Sequence, residues 1–189
     1  MWDDYYSWHQ VTRLAQPIIL SGFYGSPVAQ IGRFITSLSG IQCIDCERII
    51  EHKLSCRLAR WVLSNELEDL ESKEHQLLQK SLSETPHTII LLSTHSIFHP
   101  SIQQLISEKE HTGMIITRSR AAMWNSLQAL WSENLDRFIN IDREASLDQI
   151  HHEYLDWLAE CPKSWIRQPM QTEAPLDIAR NILSRLDIL

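Results

Sequence analysis

The hydrophobic positions change period several times along the chain. Pro17 to Gly22 is a short apolar run closed by glycine, and from Val28 to Leu38 the positions Val28, Ile31, Phe34, Ile35 and Leu38 recur at helical spacing. This predicts a strand, a loop and a helix. Ile41 to Ile44 predicts a second short strand, followed by a helical stripe of Ile49, Ile50, Leu54, Leu58, Trp61 and Val62. Asn65 to Leu82 stays helical, with Leu67, Leu70, Leu77 and Leu78 apolar among Glu and Lys, until Pro86 ends the stretch.

Thr88 to Leu92, TIILL, is continuously apolar after its threonine, as a strand covered on both faces should be, and Met114 to Thr117 repeats that character. Between them Pro100, Ile102, Leu105 and Ile106 mark a helix with proline at a tolerated early position. Helices are also expected over Ser119 to Trp131, Ser146 to Glu160 and Pro175 to Leu186. The broken stretch from Pro162 to Pro169 predicts one short strand around Trp165 and Ile166. Five strands alternating with helices predict an α/β fold, a parallel five-stranded sheet flanked by helices on both faces. No repeat, low-complexity segment or linker interrupts it, so residues 1–189 are expected to form one domain, with residues 1–16 an N-terminal extension.

Composition narrows the function classes. The chain carries 17 basic and 24 acidic residues, a net charge of −7, which argues against a nucleic-acid or anionic-membrane partner, since phosphate neutralisation needs clustered positive charge. No apolar run approaches the ~18–20 residues of a membrane span. Four cysteines, Cys43, Cys46, Cys56 and Cys161, are too few for a disulfide framework, and the chain opens on Met1-Trp-Asp-Asp-Tyr-Tyr rather than a basic leader. A cytoplasmic location is the expectation. The extension concentrates Trp2, Tyr5, Tyr6 and Trp8, aromatics of the kind that anchor interfaces, so a protein partner or a homo-oligomer contact is one expectation for it. Packing on its own domain is the other.

In a βαβ unit the turn after the first strand is where phosphates bind, because free N–H groups and the helix dipole converge there. Here it reads Gly22-Phe-Tyr-Gly25-Ser-Pro27-Val28-Ala29-Gln30-Ile31-Gly32-Arg33. Against the form G-x-x-x-x-G-K-[ST], the first glycine is present, while the lysine and the metal-holding hydroxyl are not.

From Ile19 to Arg33 the sequence resembles the nucleotide-binding segment of the shikimate kinases, close to G-x-M-G-x-G-K-S-T-I-G-R. Gly22, Gly25, Ile31, Gly32 and Arg33 match in register, whereas Pro27, Val28, Ala29 and Gln30 stand where the family has glycine, lysine, serine and threonine. Asp45-Cys46-Glu47 with Ile50-Glu51 is similar to D-x-D-x-x-I-E, whose acids support magnesium and hold substrate hydroxyls. Leu70-Glu71-Ser-Lys-Glu74 resembles F-R-x-x-E, and Glu160-Cys161-Pro162-Lys163-Ser164 resembles R-x-P-L-Y. In both, glutamate replaces a substrate-binding arginine. Ser93-Thr94-His95-Ser96 stands in place of a glycine triplet.

The resemblance spans about residues 17–187 and implies a P-loop kinase-like three-layer sandwich of the nucleoside monophosphate kinase-like group. It also implies a pocket about five charges more negative than the family's. At short range in a partly dehydrated cleft each unfavourable pair costs on the order of a few kcal/mol, so loss of ATP, magnesium and shikimate binding is expected. The degenerate loop comprises Gly22, Gly25, Pro27, Val28, Ala29 and Gly32. The expected function is that of a catalytically inactive kinase-like protein serving as a binding, regulatory or structural module.

Two alternatives stay open. Asp45, Glu47, Glu71 and His95 would face the former substrate cleft and could bind a small molecule or perform acid–base chemistry there, unless Asp45 and Glu47 simply cap the following helix. Arg137 and Arg143, in the region of the family's lid, could stand in for the lysine of a residual kinase. The spacings Cys43-x-x-Cys46, His95 to His99 and His151-His152 are weak signals for redox or metal chemistry; burial or surface exposure accounts for them more simply.

Overall fold

The computed structural model describes residues 14–23, 25–62, 67–92, 96, 100–108, 112–132, 147–170 and 174–188. Five strands run β1 Ile18–Gly22, β2 Cys43–Asp45, β3 Ile89–Leu91, β4 Gly113–Arg118 and β5 Ile166–Met170. The helices between and after them are α1 Val28–Ser39, α2 Cys46–Leu54, α3 Leu58–Val62, α4 Leu67–Glu84, α5 Pro100–Glu108, α6 Arg120–Ser132, α7 Leu147–Glu160 and α8 Pro175–Arg185. The strands pair in parallel in the order β2-β3-β1-β4-β5. Parallel neighbours need long crossovers, and the helices supply them.

Period-two alternation sorts the strand residues between two cores. Ile19, Ile90 and Ile115 face one core with Ile50, Leu70, Leu78, Ile102, Met123 and Trp157 from α2, α4, α5, α6 and α7. Their neighbours Leu20, Ile89, Leu91, Met114 and Ile116 face the other, built with Ile31 and Ile35 of α1 and Ile178 and Ile182 of α8. Over Ile18–Leu20, Ile89–Leu91 and Met114–Ile116 the central strands are therefore apolar at every position. That is why they read as continuous hydrophobic runs. The buried Ser21 that follows in β1 donates its hydroxyl to the Leu92 carbonyl at 3.0 Å.

Two elements differ from the sequence reading. The stripe from Ile49 to Val62 is two helices, because Ser55 adopts a left-handed conformation (φ 53°) that closes α2 with its N–H on the carbonyls of Glu51 and His52. Glu51 then restarts the chain: its Oε1 accepts the Leu58 N–H at 3.0 Å at the start of α3, and its Oε2 accepts from Arg57 at 3.0 Å. The last strand is longer than expected and includes Pro169. It pairs only with β4, and an edge strand tolerates a residue without an N–H. Among the described residues no helix is long and apolar enough to cross a membrane.

Candidate functional site

The carboxyl ends of β1, β2 and β3 meet at the loop between β1 and α1. Phe23 opens that loop by turning inward: it is buried, with its ring edge-on to Tyr154 at 5.1 Å and to Trp157 at 5.6 Å, both on α7. The Ser26 N–H returns to the Phe23 carbonyl at 2.9 Å, closing a turn in which Gly25 takes φ 74°. A Cβ on Gly22 would stand 2.7 Å from the Cβ of Ser26, so Ser26 occupies the inside of that turn.

Pro27 makes the next bend. Its φ of −80° and ψ of 49° fit an inverse γ-turn, and the Val28 N–H donates to the Ser26 carbonyl at 2.8 Å. Three consecutive positions thus offer no backbone N–H to an anion: Ser26 and Val28 spend theirs on the loop's own carbonyls, and Pro27 has none, which leaves the buried Ser26 hydroxyl as a donor without a partner among the described residues. The Val28 side chain packs against the apolar core shared with α8. Ala29, one residue on, presents only a methyl group.

From the opposite side the loop is held by the end of β4 and by α6. The Arg118 guanidinium donates from Nη1 to the Gly25 carbonyl at 2.8 Å and to the Ser126 hydroxyl at 2.5 Å. Ser126 stands so close that a Cβ on Gly25 would lie 2.1 Å from its own. The Arg118 backbone N–H donates to the Tyr154 hydroxyl at 3.3 Å, joining this bracket to the aromatic group around Phe23. Desolvation by burial lowers the Arg118 pKa below the ordinary arginine value and raises that of Tyr154. Both groups keep their usual protonation at neutral pH.

A small crevice of about 110 Å³ remains beside the loop, lined by Ser26, Val28, Ala29, Asp45, Glu47, Leu91 and Leu92. Among the described residues that line it, the charged ones are the carboxylates Asp45 and Glu47. Asp45 caps α2, its Oδ1 accepting the Arg48 N–H at 3.0 Å, and Glu47 is exposed in the first turn of that helix. Of the four residues expected in the cleft, these two come together there. Glu71 lies half-buried on α4 and lines neither this crevice nor the larger one below; His95 lies outside the described residues, as do Arg137, Arg143 and the aromatic group Trp2, Tyr5, Tyr6 and Trp8.

Glu74, in the motif that contains Glu71, is fully buried and accepts a hydrogen bond from the Ser96 hydroxyl at 2.5 Å, which fastens the segment after β3 to α4. Burial, reinforced by the charges of Glu74 and Asp45, pushes the Cys46 thiol up to about 12. Burial also raises Cys43 and takes Cys161 to about 11. Burial thus favours the protonated thiol at each of these positions. His152 sits exposed on α7, its Nε2 3.6 Å from Asp156. The described residues contain no group of three or more His, Cys, Asp and Glu side chains arranged to hold a metal ion.

A wider cleft of about 910 Å³ opens between α1 and α2 over β2. It shares Ala29, Asp45 and Glu47 with the small crevice and continues to Arg33 on α1 and Arg48 and His52 on α2. Its basic residues were not singled out from the sequence as a group, although the spacing of Arg48 and His52 places them on one helix face.

No protein-family model matches this sequence, and no curated protein matches it. Solved structures do. Shikimate kinase from Acinetobacter baumannii, in complex with shikimate, superposes with a TM-score of 0.66 at 15% identity over 90% of this chain and 92% of its own. The fold is that of the shikimate kinases. The enzyme from Aquifex aeolicus gives 0.66 at 16% identity over 90% and 96% of the two chains, and that from Bacteroides thetaiotaomicron 0.65 at 10% over 91% and 98%. Gly32, one of the residues that match the family's segment in register, sits at a tight packing contact: a Cβ there would meet Leu91 Cδ1 at 2.4 Å, where α1 lies on β3.

Proposed function

We propose that this protein is a kinase-fold binding module that has given up ATP-dependent phosphoryl transfer. The observation that carries this reading is the state of the loop after β1. Its N–H groups at Ser26 and Val28 close on its own carbonyls, Pro27 contributes none, and Arg118, a cation that reaches it, turns its Nη1 to the Gly25 carbonyl and the Ser126 hydroxyl. Phosphoryl transfer rests on positioning and on neutralising charge. The crevice beside the loop supplies neither: its volume of about 110 Å³ is below the range of about 300–1,000 Å³ typical of ligand pockets, and Asp45 and Glu47 line it. A triphosphate there would meet carboxylates at a cost on the order of a few kcal/mol for each close pair.

The replacement of lysine by Val28, of a hydroxyl by Ala29 and of two arginines by Glu71 and Glu160 supports the same reading. Magnesium has no hydroxyl at position 29 to hold it, and no catalytic step is assigned to ATP. The partner is either a protein, engaged through Trp2, Tyr5, Tyr6 and Trp8, or a small molecule in the cleft between α1 and α2.

Calorimetric titration and thermal-shift assays with Mg-ATP and with shikimate, alongside a sensitive ATP turnover assay, test the proposal. The expected result is no saturable binding of Mg-ATP at millimolar concentration and no turnover. Micromolar binding of both compounds with phosphate transfer would sink it.

A further inference from the structure

We propose that the wide cleft between α1 and α2 binds a small oxyanion, a phosphomonoester or a polycarboxylate, that also carries a hydroxyl or amino donor. The cleft holds about 910 Å³, ample for a metabolite-sized ligand. Its two walls come from different faces of the sheet, α1 from one core and α2 from the other, so it wraps the carboxyl end of edge strand β2.

Charge is distributed unevenly within it. The carboxylate of Glu51 is taken up on both oxygens, by the Leu58 N–H and by Arg57. Asp45 gives one oxygen to the cap of α2 and, with Glu47, borders the loop end of the cleft. Beyond them, Arg33 lies one turn along α1 from Ala29, while Arg48 and His52 lie one turn apart on α2. Among the described residues the side chains of Arg33, Arg48 and His52 make no hydrogen bond or ion pair.

Two guanidinium forks from opposite walls of one cavity match the paired oxygens of a carboxylate or phosphate, which each can hold bidentately. The carboxylates at the other end accept from hydroxyl or amino groups. A ligand with an anionic end toward Arg33 and Arg48 and a donor toward Asp45 and Glu47 satisfies both. The site adjoins the degenerate loop at Ala29 and extends from it to Arg33, Arg48 and His52, and it deepens the reading of the protein as a binding module by naming the ligand class.

The test is calorimetric titration of the full chain with citrate and with O-phosphoserine at fixed ionic strength. Saturable binding of either probe is expected, weakened at least tenfold by Arg33→Gln and by Arg48→Gln and unchanged by Arg180→Gln on α8. The tighter of the two probes tells carboxylate from phosphate. Because the Arg33 and Arg48 side chains are exposed and bond to no other described residue, the variants should keep the wild-type circular dichroism. The proposal is overturned by absence of saturable binding at millimolar probe, by equal weakening in Arg180→Gln, or by O-phosphoserine binding that survives both cleft substitutions. That last result would place phosphate at the loop and count against the loss of nucleotide binding instead; Mg-ATP binding that survives both substitutions would do the same while leaving the cleft proposal standing.

Discussion

The Arg118 guanidinium and the Gly25 carbonyl, 93 residues apart in sequence, meet at 2.8 Å and bind the end of β4 to the loop after β1. The same nitrogen reaches Ser126, and the half-buried arginine has no acidic partner in this bracket. Arg118→Met keeps most of the side-chain volume and removes these bonds. It should lower unfolding free energy by about 1–3 kcal/mol, the usual cost of stranding buried polar groups, and speed amide exchange at residues 25–29. Urea denaturation and hydrogen exchange measure the two effects; unchanged exchange in the loop would show that the bracket does not hold it.

In the proposed reading the loop lacks a phosphate cradle in its backbone as well as in its charge, and the two can be separated experimentally. Val28→Lys alone should leave Mg-ATP binding undetectable, because Pro27 still withholds an N–H and the Val28 N–H still closes on Ser26. The triple variant Pro27→Gly, Val28→Lys, Ala29→Ser should bind at least tenfold more tightly than the single one. It should still not phosphorylate shikimate, with glutamates at positions 71 and 160. Fluorescent-nucleotide titration and a turnover assay distinguish these outcomes; a single variant that binds as well as the triple would make charge alone responsible.

The central strands were legible because burial on both faces gives them continuous apolar runs, as in Ile89-Ile90-Leu91. The break between α2 and α3 was not. Its cause is the backbone conformation of Ser55 and a side-chain bond from Glu51 to Leu58, and neither disturbs the spacing of apolar residues. Pro169 misled in the opposite direction, since proline stops a strand only where its missing N–H faces a partner. At the loop, the missing lysine and hydroxyl could be read directly from Val28 and Ala29. The role of Arg118 could not, because nothing local to β4 reports a contact with Gly25.

Glu51 performs two tasks that substitutions can separate. Arg57 is 84% exposed, so its ion pair with Glu51 is screened by water and Arg57→Ala should change stability by less than about 1 kcal/mol. Glu51→Gln keeps an oxygen for the Leu58 N–H and should behave similarly. Glu51→Ala removes the acceptor at the start of α3 and should cost about 1–2 kcal/mol, as lost helix caps do. If Glu51→Ala and Arg57→Ala prove equal in chemical denaturation, the ion pair rather than the cap carries the contribution.

Cys46 gives the fold a dependence on alkaline pH. Its thiol ionises near 9 when free and is pushed to about 12 in the fold, first by burial and then by the charges of Glu74 and Asp45. Below pH 9 both folded and unfolded chains hold the proton, and the group contributes no slope. Between pH 9 and about 12 the unfolded thiol loses its proton while the folded one keeps it, so unfolding releases a proton and stability falls as pH rises. Cys161, raised to about 11, acts with the same sign over a narrower window. Urea denaturation at pH 8 and pH 10 should therefore show a drop in stability, and Cys46→Ala should make that drop smaller whatever its own cost at pH 8. Alkylation with iodoacetamide at pH 8 should leave Cys46 and Cys161 unmodified until the chain is unfolded, with the partly exposed Cys56 reacting first. Rapid labelling of Cys46 in the native protein would contradict its burial against Glu74 and, with it, the packing of α2 on α4.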